Sequence, residues 1–153
     1  MPEESLITPE VRALVGRESP AVPVRVTRRA VERTLELYQG AHPGTLEPGK
    51  PVTSFVLVAL DNEAEAIDVP QLLPDSLLIS NEMEFDRQIV LGDDLMATWR
   101  VADISERFGG RFGYSVYVRT ETVFRDPVGN PVARSARTMM HYDARNAAGG
   151  EEP

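Results

Sequence analysis

Residues 77–142 read LLISNEMEFDRQIVLGDDLMATWRVADISERFGGRFGYSVYVRTETVFRDPVGNPVARSARTMMHY, and this stretch decides the fold. Leu77 to Leu91 alternates, with Ile79, Met83, Phe85, Ile89 and Leu91 on one parity and Glu82, Glu84 and Asp86 on the other. Gly92-Asp93-Asp94 breaks the run. Leu95, Ala97, Trp99 and Val101 then take every second place, up to the turn Phe108-Gly109-Gly110. Phe112, Tyr114, Val116, Val118 and Phe124 share one parity, and Asp126-Pro127-Val128-Gly129-Asn130 turns the chain again. Val132, Ala136, Met140 and Tyr142 close the set. Period-two patterning with Gly, Asp, Asn and Pro between runs predicts four long strands in an antiparallel meander. One face of such a sheet must be covered, and the material to cover it lies upstream.

Upstream, Thr8-Pro9-Glu10 predicts a short helix: a Thr cap, Pro at the first helical position and an acid near the positive end of the dipole. Val22 to Val26 reads as a short strand. Thr27 caps a second helix over about 28–39, with Ala30, Val31, Thr34, Leu35 and Tyr38 on one face. Residues 41–51 form a loop rich in Pro and Gly. Val52 to Leu60 is an apolar run that periodicity alone assigns neither to strand nor to helix. The tail, residues 146–153, reads as disordered after a single domain over 1–145.

The chain has 153 residues, enough for one domain with a substantial core. Its formal charge of -8 argues against nucleic acid as a partner, which calls for a basic stripe. It also disfavours docking to anionic lipid, and no apolar run approaches the roughly 20 residues of a spanning helix. There is no cysteine and no visible secretory signal, so a cytoplasmic location is the simplest expectation. No metal site is expected from two distant histidines and no thiolate, and no cofactor is implied.

The order of elements resembles the hot-dog fold, an α+β arrangement in which a curled antiparallel sheet wraps a helical segment. More narrowly, the chain is similar to the N-terminal half-domain of MaoC-like, or fatty-acid-synthase-like, dehydratases. The residues that carry the resemblance are Leu14-Val15-Gly16-Arg17-Glu18, Val24-Arg25-Val26-Thr27, Lys50-Pro51-Val52-Thr53-Ser54-Phe55 (against the family's Ala-Pro-Pro-Thr-Phe), Glu82 to Arg87 with Leu91-Gly92-Asp93, and Val128 to Ala133. The resemblance implies dehydration of (R)-3-hydroxyacyl thioesters of coenzyme A or acyl carrier protein, or hydration in reverse. It also implies an Asp and a His in a Gly-Asp-x-Asn-Pro-x-His motif that polarise water, with a backbone amide for the thioester oxygen. Here the matching stretch is Gly40-Ala41-His42-Pro43-Gly44-Thr45-Leu46, with Ala41 in place of the Asp and Leu46 in place of the His.

The expectation is therefore a non-catalytic hot-dog subunit that shapes an acyl channel for a catalytic hot-dog partner, or pairs with itself. A rival is a self-sufficient homodimeric thioesterase, dehydratase or cyclase using His42, Glu82 or Asp86. A third is a binding module for acyl-CoA or carrier protein without chemistry. His42 reads first as a solvated loop residue, and Glu82, Glu84 and Asp86 as a solvated strand face. His141 reads as an edge or surface residue, and Gly92-Asp93 as turn chemistry. The resemblance places Thr53, Ser54 and Phe55 in the acyl-channel wall. Arg28 and Arg29, with Arg25 and Arg33, are candidates for carrier phosphate. Arg111, with Arg107, is a second such patch.

Overall fold

The structure is a computed structural model that describes residues 4–38 and 46–147. Helix α1 spans Pro9–Arg12, strand β1 Val22–Arg25, helix α2 Arg28–Leu37 and helix α3 Val56–Asp61. Strands β2 Asp75–Phe85, β3 Asp94–Phe108, β4 Tyr114–Arg125 and β5 Pro131–Tyr142 follow, and a 3-10 turn Ala144–Asn146 ends them. Both expected N-caps form: Thr8 Oγ1 accepts from Val11 N and Thr27 Oγ1 from Ala30 N. The ambiguous apolar run resolves as α3, whose Val56, Leu57 and Leu60 are fully buried. Residues 148–153, most of the segment read as a tail, lie outside the described residues, while Asn146 closes the 3-10 turn on Asp143.

All five strands form one antiparallel sheet in the order β1-β3-β4-β5-β2. The long strands were expected as a sequential meander; β3, β4 and β5 form one, but β2 does not join it. β2 pairs with β5 at the far edge, so residues 86–93 are a crossover rather than a hairpin. The crossover is fastened to the upstream half: Gly92 N donates to Val26 O, Leu91 N to Lys50 O and Val52 N to Ile89 O. Ile89 and Leu91 therefore bury against the helices as loop residues, not as strand. Gly92 sits at φ +94, in the left-handed region that favours glycine. A Cβ there would meet nothing within 4 Å. Gly92→Ala is thus expected to cost about 1–2 kcal/mol through backbone strain alone, seen as a lower urea midpoint with unchanged slope.

Register settles which residues face the helices. Ala97, Trp99 and Val101 of β3 pair with Phe124, Thr122 and Thr120 of β4, and these pair with Ala133, Ser135 and Arg137 of β5. On β5 the core-facing parity is therefore Ala133, Ser135, Arg137, Met139 and His141. The sequence pattern favoured the opposite parity, of which Val132, beside the irregularity at Phe124 and Arg125, does join the core cluster, while Ala136, Met140 and Tyr142 alternate away from it. Two apolar clusters result. One joins β1, α2, α3 and the Phe124 end of the sheet. The other joins α1 to Val101, Ile104, Tyr114, Val116 and Val118. Between them runs a polar seam built on Asp61, which is buried at the end of α3. Asp61 accepts from Thr122 Oγ1, from Ser135 Oγ at 3.1 Å and from Arg137 Nη2 at 2.7 Å.

His141 is not an edge residue. It lies in β5 between β4 and β2, only 8% exposed.

The outer face of the sheet is charged. Glu82 pairs with Arg119 at 2.8 Å, Glu84 with Arg134, and Arg100 with the buried Glu121 at 2.6 Å. The acids of β2 therefore lie on a solvated face, away from the helices.

Candidate functional site

The family-like segment at Pro51 to Phe55 enters α3. Thr53 starts the helix: Phe55 N bonds its Oγ1 and Val56 N its carbonyl. Hydroxyl-to-backbone bonding of this kind is what Thr offers at a helix entry. Ser54 is exposed and lines a cleft of about 430 Å³ with Val52, Phe85, Arg87 and Ile89. Phe55 stands beside it, stacked on Tyr38 at 5.1 Å between ring centroids. The cleft thus sits where the end of β2, the start of α3 and the crossover meet.

Arg87 supplies the charge in this cleft. Its Nη1 and Nη2 hold the Asp93 carboxylate at 2.9 and 3.0 Å, and Asp93 Oδ2 also accepts from Val90 N at 2.9 Å. The carboxylate raises the Arg87 pKa above its ordinary value. Asp93 is therefore turn chemistry, as its sequence suggests, and it fixes Arg87. Arg87 itself escaped the sequence reading, because nothing in its flanking residues distinguishes it from a surface arginine.

The arginines expected to meet phosphate fall in different places. Arg28 donates Nη2 to Leu46 O at 2.6 Å and so ties the backbone at Leu46 to the start of α2. Arg29 lines a separate depression of about 370 Å³ between α2 and α3, with Arg33 and Glu63. Arg111 stands over the Phe112 ring at 5.5 Å, in the turn after β3. Arg25 pairs with Asp94 at the start of that strand, so β3 separates the two basic patches.

Leu46 packs against the core cluster under α2 and α3. His42 and Ala41 lie outside the described residues. Among the described residues, the cleft offers one hydroxyl, one guanidinium and the Gln88 carboxamide but no imidazole or carboxylate on its lining. Such a set can orient an oxygen-bearing ligand but has no group that exchanges a proton near neutral pH. Among the described residues, no cluster of His, Cys, Asp and Glu is placed to hold a metal, and no helix is long and apolar enough to cross a membrane.

No protein-family model matches the sequence, and no curated protein does either. Solved structures do match. A chain of the truncated HadBC complex, a (3R)-hydroxyacyl-ACP dehydratase of Mycobacterium tuberculosis, aligns with 83% of this chain and 96% of its own, at TM-score 0.57 and 17% identity. The chain has the hot-dog fold. The (R)-hydratase PhaJ1 of Pseudomonas aeruginosa matches this hot-dog at TM-score 0.55 and 17% identity, over 84% of this chain and 82% of its own. A MaoC-like dehydratase of Rhodospirillum rubrum matches at TM-score 0.55 and 15% identity, over 84% and 92%. At these identities the likeness is one of fold.

Proposed function

We propose that this chain is the non-catalytic hot-dog of a two-chain (R)-3-hydroxyacyl-thioester dehydratase or hydratase, acting on acyl-CoA or acyl carrier protein. Its role is to form the wall of the acyl channel through Thr53, Ser54 and Phe55, while a catalytic hot-dog partner supplies the Asp-His pair. The observation that carries this reading is Leu46. At the position where MaoC-like enzymes resembling this chain have the catalytic His, a partly buried apolar side chain packs against the core, and Arg28 holds its carbonyl. A leucine there can neither accept nor donate a proton. HadBC, similar in fold, is a complex. The edge of β2 here also carries half-exposed Leu77, Leu78 and Ile79, an apolar margin suited to a second chain.

Glu82, a rival catalytic group, is paired with Arg119 on the outer face of the sheet. That placement counts against the self-sufficient reading.

Enoyl-CoA hydration is the test. A positioned acid-base pair contributes roughly 10²–10⁴-fold. The chain alone is expected to show no turnover above background, and a mixture with a catalytic hot-dog chain bearing the Asp-x-Asn-Pro-x-His motif to show activity exceeding that of the catalytic chain alone. Robust turnover by this chain alone would overturn the proposal.

A further inference from the structure

Residues 66–69 border a third, larger and open cavity of about 620 Å³ on the helix-facing side of the sheet. Its floor is Trp99 from β3, Val118 and Thr120 from β4, and Arg137, Met139 and His141 from β5. The volume falls within the range of compact organic ligand sites, about 300–1,000 Å³.

Apart from Asp68 at the rim, its polar side chains can donate. His141 is buried, and burial holds its pKa below the ordinary value, so the ring is neutral and carries one N–H. Nδ1 is enclosed and has no partner among the described residues. We assign the proton to Nε2, which leaves a lone pair rather than an N–H at the enclosed Nδ1. Arg137 gives Nη2 to Asp61, while its Nε and Nη1 make no hydrogen bond among the described residues; its side chain is 36% exposed. The Thr120 hydroxyl likewise lines the cavity without a partner among the described residues.

Charge narrows the occupant. Arg137 is already matched by Asp61, and the exposed Asp68 adds a negative charge at the rim. An anion gains little there. A plain hydrocarbon would leave the donors unanswered, at roughly 1–3 kcal/mol for each buried one. We propose that this cavity binds a neutral, apolar organic ligand whose carbonyl oxygen accepts from His141 Nε2–H and Arg137. That the ligand is the acyl part of a thioester rests on the function proposed above; the binding itself does not.

Trp99 is the only tryptophan of the chain, so its emission reports on this cavity. The purified full chain is titrated with 2-decalone and with decalin, a bicyclic ketone and its hydrocarbon. The ketone is expected to give a saturable Trp99 response at about tenfold lower Kd than decalin, the equivalent of one net hydrogen bond. His141→Phe keeps the ring volume and is expected to erase that preference while leaving decalin affinity unchanged. His141→Gln, which retains an N–H donor, is expected to keep most of it. The proposal is overturned by absence of a saturable response to the ketone, or by a preference that survives His141→Phe. If His141→Phe does not fold, the wild-type ratio decides, and a ratio near one overturns it. Neither probe is a thioester and no partner is added, so failure here and failure of the hydration assay are separate results.

Discussion

Replacing Asp61 with alanine is expected to destabilise the fold by about 3 kcal/mol, read from urea unfolding. The carboxylate side chain is only 7% exposed, yet it sits between two apolar clusters and holds α3 to the sheet. Its removal leaves the Thr122 and Ser135 hydroxyls without an acceptor and Arg137 without its counter-ion. Arg137 reaches water in part, which places the cost at the lower end of the 3–5 kcal/mol typical when one partner of a buried pair is lost. The converse change, Arg137→Met, leaves the buried carboxylate with two neutral donors and is expected to cost a similar amount. The decisive measurement is the double-mutant cycle. Asp61→Ala with Arg137→Met removes both charges together, so the pair should lose about 1.5–3 kcal/mol less than the sum of the singles. Strict additivity would show that the two charges do not act on each other and that the hydroxyls alone hold α3.

The seam also explains what the sequence displayed and what it hid. Strand positions and turns were legible because the backbone demands period-two burial and because Gly, Asp and Asn suit turns. Connectivity was not legible at Gly92-Asp93. A glycine at positive φ followed by an aspartate that accepts backbone N–H groups looks the same in a hairpin and in a crossover. What makes it a crossover is long-range, the bonds from Gly92 to Val26 and from Leu91 to Lys50. The facing of β5 was misread for a physical reason. Ser135 and Arg137 point inward because Asp61 requires donors, and an apolarity pattern assigns polar residues outward. Nothing adjacent to Asp61 announces that an acid closing an apolar helix will be buried. His141 was misplaced by the same logic, since its strand lies inside the sheet rather than at its margin. In the candidate site, Thr53 to Phe55 were named through resemblance alone; Ser54 lines a cleft with Val52, Phe85 and Arg87, and an acyl-channel role for it belongs to the function proposed above. Arg28, Arg29 and Arg111 were legible as charges but not as a group, because sequence proximity and similarity of type do not reveal which end of a sheet a residue occupies.

The edge of β2 carries the second large effect. In the two-chain arrangement proposed above, lysine at Leu77 and Ile79 is expected to weaken association with a second hot-dog chain by about a hundredfold or more, while leaving the fold of this chain nearly unchanged. β2 is bonded on one side only, to β5, and Leu77, Leu78 and Ile79 are 49, 49 and 48% exposed. Ile79 occupies the irregularity between Leu78 and Ser80, where one extra residue turns its side chain away from the regular alternation. Each half-exposed aliphatic side chain that a partner covers contributes on the order of 1 kcal/mol. Placing an ammonium on that margin adds a desolvation cost if the margin is covered, and lysine on an edge is the common natural means of blocking strand addition. Together these reach about 3 kcal/mol, and 1.4 kcal/mol corresponds to a tenfold change in Kd. Surface changes of this kind alter the stability of the isolated chain by roughly 0.5 kcal/mol at most. Light scattering of the mixed chains gives the association, and urea unfolding of each variant alone gives the control. Association that is insensitive to both lysines would place the partner on another surface. The outer face, where Glu121 is buried among Arg100, Arg119 and Arg134, would then be the next surface to substitute.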